Sequence, residues 1–302
     1  MVLGPAMRVV SLVPAATEIA LALGLGDRLV AVTHDCDLPP GVVLPLVTGS
    51  TIPIGSSSRE IDALVREAGE RGDSTFHLDA AALHAARPDL TLGQTVCRVC
   101  AVTFEQLPSG SAGQVVPLDG TDLKGVLRDI RRVADAFGEP ARGDTLVSSL
   151  RDRIGRVAAL VADAPRPRTV ALEWLDPLFC GGHWVPEQIA LAGGHDPLGI
   201  PGERSREIGW DEVVGAAADV LVVMPCGYDT AQALADAHIS LSHRDGIAAL
   251  PAMRSGRAFA VNGRALFSRP GPGLVDGMEV LAALLHPTAF PPPDGVAAIT
   301  LG

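Results

Sequence analysis

The sequence predicts an α/β protein made of two parallel-sheet, Rossmann-like lobes joined by a long helix. Short β-branched runs alternate with helical stretches, which is typical of parallel sheets covered by helices. The alternation occurs on both sides of a long helical region, and 302 residues are more than one hydrophobic core usually holds. The predicted boundaries are residues 1–120 for the first lobe, 121–164 for the linking helix and 165–302 for the second lobe.

The first lobe begins with a strand, a helix and a second strand. MRVVSLV reads as a buried strand, residues 17–23 as a helix that ends at Gly24 and Gly26, and RLVAVT as the next strand. After a segment rich in proline, glycine and serine, helices are expected at about 60–71 and 80–86. DLTLGQ and VVPL complete the strands of this lobe.

The linking region and the second lobe follow the same reasoning. Apolar residues recur at spacings of three and four over 123–137 and 141–162, with a break at Gly138 and Pro140, which predicts helix. RTVALEW, DVLVVMP and RAFAVNG are predicted strands, and the segments between them, with VDGMEVLAALLH at the end, are predicted helices. The proline-rich stretch FPPPDG is expected to be irregular.

Charge and hydropathy exclude several classes of partner. The chain carries 24 basic and 35 acidic residues, a net charge of −11, which argues against binding nucleic acid. No stretch has the roughly 20 apolar residues of a membrane span, so we expect a protein that is not embedded in a membrane. The first residues do not form a convincing secretory signal, which predicts a cytoplasmic location, with an extracytoplasmic location as the alternative.

Chemistry-bearing side chains concentrate in loops that follow the predicted strands, where ligands of parallel sheets bind. Aromatic side chains there predict a flat apolar wall for a large planar ligand. The histidines are candidates for ligation or acid–base work, Glu173 for a general base or an orienting carboxylate, and Arg269 for binding a carboxylate, phosphate or amide oxygen. The polar candidates have a structural alternative, namely a hydrogen bond that fixes a loop, or a salt bridge, and the aromatic candidates have plain packing in the core as theirs. The candidates are His34, Glu173, Trp174, His183, Trp184, Tyr228, Phe267 and Arg269.

Four of the five cysteines also lie on these loops, and they form a candidate metal site. Cys97 and Cys100 make a C-x-x-C pair, which suits a metal ion, an iron–sulfur cluster or a redox dithiol. Cys36 and Cys226 follow other strands and could complete a thiolate set for zinc, iron–sulfur or cobalt. Cys180 is the weakest candidate. No P-loop, G-x-G-x-x-G after a strand or G-x-S-x-G motif is present, so nucleotide binding and a hydrolase triad have no support.

Five segments together resemble a known family: VVSLVPAATEIALALGLGDRLVAVTHDCDLP, PDLTLGQTVCRVCAV, EWLDPLFCGGHWVPEQIALAGG, DVLVVMPCGYD and FSRPGPGLVDGMEVLA. The chain resembles cobalamin-binding proteins of the helical-backbone class of ABC-importer substrate-binding proteins, and the resemblance covers nearly the whole chain. It implies two lobes bridged by a long helix, little lobe closure and a corrinoid in the cleft between them. It also implies an ABC permease as partner, contacted through one glutamate on each lobe.

The resemblance assigns positions of this sequence to the cleft. Pro14, Ala15, Ala16, Thr17 and Glu18 match the first lobe's motif, and Trp174, Trp184 and the segment Phe267, Ser268, Arg269, Pro270 match the second lobe's loops. The sequence departs from transport members in lacking a convincing export signal or lipoprotein cysteine and in carrying the loop cysteines. Both departures favour a cytosolic role.

Three functions compete at this stage. The first is a protein that binds cobalamin, as a small-molecule ligand, for transport or for intracellular delivery. The second is a cytosolic zinc or iron–sulfur protein, or an enzyme, that uses Cys36, Cys97, Cys100 and Cys226. The third is a binder of a siderophore or a haem-like ligand. A binding protein is favoured over an enzyme, and no catalytic residue is assigned.

Overall fold

Four short strands build the sheet of the first lobe. They are β1 (Val9–Ser11), β2 (Leu29–Ala31), β5 (Leu90–Gln94) and β6 (Gln114–Leu118), in the spatial order β2-β1-β5-β6, and every pairing is parallel. Strands β1 and β5 are buried along their whole length, including their polar residues Ser11, Thr91 and Gln94. The computed structural model describes residues 7–95, 102, 106–108, 110 and 112–300.

Helix α1 (Pro14–Ala22) follows β1 and starts earlier than the predicted residue 17. Pro14 occupies its first turn, where a fixed φ and a missing N–H cost nothing. Further along the chain, α3 (Ala80–Ala86) is capped by the side chain of Asp79, which accepts a hydrogen bond from the backbone of Ala82.

A separate antiparallel pair interrupts the first lobe between β2 and α3. Strands β3 (Thr48–Ser50) and β4 (Phe76–Leu78) pair with each other, and α2 (Ser58–Glu70) lies between them in the chain. A reciprocal capping box between Ser57 and Glu60 fixes the start of α2. We call residues 48–78 the strap. Its helix is close to the predicted 60–71, whereas neither strand was expected.

Two helices, α4 (Leu123–Ala136) and α5 (Pro140–Leu160), connect the sheets. Gly138 adopts φ +74° in the turn between them, a conformation that favours glycine. Helix α4 packs against α1 and β6 of the first lobe, and α5 packs against α4 and two helices of the second lobe, α6 (Val185–Leu191) and α11 (Gly273–Leu285). The exact lobe boundaries remain a prediction.

The second lobe holds a five-stranded sheet in the order β11-β10-β9-β7-β8. Its strands are β7 (Thr169–Leu175), β8 (Leu178–Cys180), β9 (Val220–Val223), β10 (Ala258–Val261) and β11 (Val296–Ala298). The three central strands are parallel and both outer strands are antiparallel. The remaining helices are α7 (Trp210–Ala216), α8 (Thr230–Leu241), α9 (Pro251–Arg254) and α10 (Gly263–Leu266). The predicted two-lobed α/β architecture is confirmed.

One apolar core cluster contains residues of both sheets and of the connecting helices. It includes Ile19 of α1, Ile130 of α4, Val147 of α5 and Met278 of α11, all fully buried. The two lobes therefore pack against each other through this cluster. Within the described ranges, no helix combines the length and the apolar character needed to cross a membrane.

Candidate ligand cleft between the lobes

Loops at the carboxyl ends of strands from both sheets meet where the lobes face each other. The loop after β2 touches the segment between α10 and α11 of the second lobe. Helix α1, which follows β1, reaches the start of α11. The predicted convergence of strand-end loops is thus present as direct bonds between the lobes.

Arg269 is the most connected of the predicted residues. Its side chain is 10% exposed, its Nη1 donates to Asp37 Oδ2 at 2.6 Å, and its Nη2 donates to the carbonyl oxygen of Asp35 at 2.8 Å. Arg264 lies 3.6 Å from the other oxygen of Asp37. The guanidinium group therefore joins the second lobe to the loop after β2.

Glu18 makes a second bond between the lobes. Its carboxylate accepts a hydrogen bond from the backbone N–H of Gly273, at the start of α11, at 2.5 Å. Burial raises the pKa of Glu18 to about 7, although the bond to Gly273 and the charge of Arg269 act in the opposite direction. A Cβ atom at Gly273 would come within 2.9 Å of the Glu18 carboxylate, so glycine permits this close approach.

The first-lobe motif surrounds Glu18 at the start of α1. Ala15 and Thr17 are buried and Pro14 is half-buried. The Thr17 hydroxyl lies 2.9 Å from the sulfur of half-buried Cys36, and burial raises the pKa of that thiol. These positions lie at the face between the lobes, but most of their side chains are packed against protein.

His34 is held within the first lobe. Its Nδ1 is 2.8 Å from the Thr48 hydroxyl of β3, and its ring lies 5.4 Å from that of Phe76 in β4. The predicted ligand-binding histidine thus packs on the strap. This contact matches the structural alternative of a hydrogen bond that fixes a loop.

Trp174, at the end of β7, and Tyr228, after β9, form an aromatic contact in the second lobe. Their rings meet edge to face, with centroids 5.5 Å apart and planes inclined by 61°. The Trp174 indole N–H donates to the carbonyl oxygen of Ser58, and the Ser58 side chain also bonds to Tyr228. The first residue of α2 therefore lies against this pair.

Glu173 fixes a loop of the second lobe. Its Oε1 accepts the backbone N–H of Gly182 at 2.9 Å, and its carboxylate also bonds to the side chain of Ser205. Burial raises the pKa of Glu173 to about 7. Asp196 is close enough to raise it further. These contacts match the structural alternative for Glu173, a satisfied carboxylate at the end of β7.

His183 lies in the loop that Glu173 holds. It adopts φ +50°, an unusual left-handed conformation for a residue with a side chain. Its Nε2 is buried and has no hydrogen-bond partner among the described residues. Burial and the nearby charge of Arg204 lower the pKa of His183, so its ring is neutral near pH 7.

Trp184 and Phe267 match the structural alternative for aromatic residues, which is packing in the core. The sequence assigns both to the wall of the cleft, whereas the structure buries both in the core, with 6% and 2% exposure. The Trp184 indole donates to the carbonyl oxygen of Phe267 at 2.6 Å, which ties two loops together. Ser268 similarly donates its hydroxyl to the carbonyl oxygen of Gly263 at 2.8 Å.

The four-cysteine site remains a prediction. Cys97 and Cys100 lie outside the described residues. Cys36 is half-buried beside Thr17, Cys226 is exposed after β9, and Cys180 is buried in the second lobe. In the part of the chain that the structure describes, no three or more His, Cys, Asp and Glu side chains are grouped so that they could hold a metal ion.

Several residues that join the two lobes were not singled out from the sequence. Asp37 holds Arg269, and Ser58 and Asp236 bond to each other across the lobes at 2.5 Å. Asp37 does lie in a strand-end loop, and this position was a signal for it. Ser58 and Asp236 belong to helices distant in sequence, so only their tertiary contact identifies them.

Comparison with known proteins identifies the family. A family model described as periplasmic binding protein matches residues 9–265. YvrC of Bacillus subtilis, an uncharacterized ABC transporter substrate-binding lipoprotein, is 23% identical over 292 residues, which cover 94% of this chain and 81% of that protein. The vitamin B12-binding protein of Vibrio parahaemolyticus is 22% identical over 260 residues, 85% of this chain and 82% of that protein. The vitamin B12-binding protein of Vibrio cholerae is 64% identical over 36 residues, 12% of this chain and 13% of that protein.

Solved structures share the fold. The periplasmic heme-binding protein RhuT from Roseiflexus has a TM-score of 0.69 at 24% identity, with 95% of this chain and 100% of that chain covered. The periplasmic vitamin B12-binding protein BtuF of Vibrio cholerae has a TM-score of 0.65 at 21% identity, with 93% and 97% covered. These likenesses extend over both lobes.

Proposed function

The chain belongs to the periplasmic binding protein family, and on that basis we propose that it binds a corrinoid in the cleft between its lobes. The observation that carries this proposal is the stretch of 36 residues that is 64% identical to the vitamin B12-binding protein of Vibrio cholerae. The protein acts as a substrate-binding or carrier protein, and its ligand is a small molecule.

The chemistry of the cleft supports a large planar ligand. Trp174 and Tyr228 supply flat apolar surface on the second lobe. Pro14 is half-buried at the start of α1 and supplies a small group on the first lobe, whereas Ala15 and Thr17 lie buried behind it. Hydroxyl groups of these loops are suited to hydrogen bonds with the amide side chains of a corrinoid.

A haem or another iron chelate is the second candidate ligand. Its support is that RhuT, a heme-binding protein, is as close in fold as BtuF, a vitamin B12-binding protein. Haem iron takes an axial ligand such as histidine or tyrosine. His34 and His183 are held by protein contacts or buried, and Tyr228 bonds to Ser58, so an axial ligand would first have to leave these positions.

An ABC permease is the proposed protein partner. YvrC is named as an ABC transporter substrate-binding lipoprotein, and RhuT and BtuF are named as periplasmic. These names favour the extracytoplasmic alternative, and they lend no support to the cytoplasmic location expected from the first residues.

The ligand classes are separated by competition. Equilibrium dialysis of the purified protein with cyanocobalamin, hemin and a ferric siderophore, singly and in pairs, measures which ligand displaces the others. We expect cyanocobalamin to bind at one per chain and to be displaced weakly by the other two. Stronger binding of hemin or the siderophore would replace the corrinoid proposal with the second candidate.

The thiolate alternative has its own test. Elemental analysis of protein purified without oxygen measures zinc, iron and cobalt per chain. Stoichiometric zinc or iron that is lost on replacing Cys97 and Cys100 by serine would support the metal-site hypothesis, and metal-free protein would remove it.

A further inference from the structure

The strap, residues 48–78, reaches from the first lobe onto the second, and we propose that it gates the ligand cleft. In this inference, which rests on the proposed function, the start of α2 covers Trp174 and Tyr228 and must leave them before a ligand can reach that wall. Three carboxylates of the second lobe, those of Asp176, Glu207 and Asp236, hold the strap in addition to the two aromatic rings.

Ser58, the first residue of α2, is the buried point of attachment. It is 3% exposed, and its hydroxyl donates to Asp236 Oδ2 of α8 at 2.5 Å. Its carbonyl oxygen accepts the Trp174 indole N–H at 3.2 Å. Ser58 therefore occupies both the Asp236 carboxylate and the Trp174 indole N–H. A bound ligand could form hydrogen bonds with these two groups only after Ser58 has moved away.

Two ion pairs extend the attachment along α2. Arg59 donates to Asp176 Oδ2 at 2.9 Å, and Arg66 donates to Glu207 Oε2 at 2.8 Å. The Arg59 side chain is 78% exposed and that of Arg66 is 50% exposed. Exposed pairs of this kind are weak, so they hold the strap without preventing its release.

The base of the strap is separate from the main sheet of the first lobe. Among the described residues, β3 and β4 form a two-stranded sheet apart from the four-stranded sheet of the first lobe. Isolated two-stranded pairs are marginally stable in water. Helix α2 has its own capping box at Ser57 and Glu60, so it keeps its start when it separates from the second lobe.

The test weakens the attachment without weakening the helix. In the double variant Ser58→Ala, Arg59→Ala, the bonds to Asp236 and Asp176 are lost, and alanine is the best helix former. Arg71→Ala is the matched control, because Arg71 pairs with Glu67 and Asp73 of the strap itself. If α2 opens faster in the double variant but not in Arg71→Ala, the lost contacts with the second lobe are the cause.

Hydrogen exchange of the ligand-free protein gives the first readout. We expect the amides of α2 to exchange about tenfold faster in the double variant, and at the wild-type rate in Arg71→Ala. Unchanged amide exchange of α2 in the double variant would contradict the claim that the second lobe holds the strap.

Stopped-flow mixing with cyanocobalamin, and separately with hemin, gives the second readout. For whichever of the two ligands binds, we expect a higher association rate constant in the double variant than in the wild-type protein. The control variant should keep the wild-type rate constant. Equal association rates despite faster exchange would overturn the gating role. If neither probe binds any of the three proteins, the ligand proposal fails and the gating role fails with it, whereas the exchange result still decides whether the strap is held by the second lobe.

Discussion

The Arg269 guanidinium of the second lobe and the Asp37 carboxylate of the first lobe are joined by a hydrogen bond of 2.6 Å. The same guanidinium donates to the carbonyl oxygen of Asp35 at 2.8 Å. A planar fork can make both bonds at once, and an ammonium group on a flexible stem cannot reproduce that geometry. Arg269 therefore sets how the loop after β2 sits against the second lobe.

Replacing Arg269 by lysine should lower the free energy of unfolding by about 1 kcal/mol, because one charge-assisted hydrogen bond is lost and Asp37 is partly exposed. Urea unfolding followed by circular dichroism measures the change. Arg264→Lys is the control, since Arg264 lies 3.6 Å from the same carboxylate and is 42% exposed. Equal losses in the two variants would mean that the fork geometry of Arg269 does not matter.

Because the pKa of Glu18 is raised, we expect the free energy of unfolding to fall as the pH rises. Burial raises its pKa from 4.5 to about 7, so the folded protein keeps a proton that the unfolded chain has released. The contribution is fully present below about pH 4.5 and is lost towards pH 7, with an upper limit of about 3 kcal/mol. Asp37 and Asp276 strengthen this effect, and Arg269 opposes it.

Glu18→Gln should flatten the dependence of unfolding free energy on pH between 4.5 and 7. Part of the slope should remain, because the pKa of Glu173 is raised in the same direction. Urea titrations across this range measure the slope, with the exposed Glu70→Gln as control. A slope unchanged in Glu18→Gln would show that Glu18 is ionised in the folded protein throughout.

Cys36 should react slowly with alkylating agents. Burial raises the pKa of its thiol, and only the thiolate is nucleophilic. Iodoacetamide should label exposed Cys226 about tenfold faster than Cys36, as measured by mass spectrometry of peptides, and both equally in urea. Equally fast labelling in the folded protein would place Cys36 in an open loop.

Strong patterns in the sequence predicted most of the fold. The period of the apolar residues identified α4 and α5, and the β-branched runs identified β1, β7, β9 and β10. Strands β3, β4, β8 and β11 contain at most one β-branched residue each, so no run marks them, and they depend on antiparallel partners.

The candidate site was predictable in position but not in detail. Sequence order placed Trp174, Trp184 and Phe267 at strand ends, where parallel sheets bind ligands. Which aromatic ring turns into the core is decided by packing, and Trp184 and Phe267 are buried. The contact of Ser58 with Asp236 joins residues 178 positions apart, and no local pattern encodes it.

Calorimetric titration with cyanocobalamin of the wild-type protein, Trp174→Ala and Trp210→Ala tests the central claim most directly. Trp210 lies on α7, where its indole N–H donates to the carbonyl oxygen of Asp245, so it is a matched tryptophan outside the cleft. We predict micromolar or tighter binding at one per chain, about tenfold weaker binding for Trp174→Ala and no change for Trp210→Ala. Absence of binding by the wild-type protein, or equal affinity in all three proteins, would contradict a corrinoid site between the lobes.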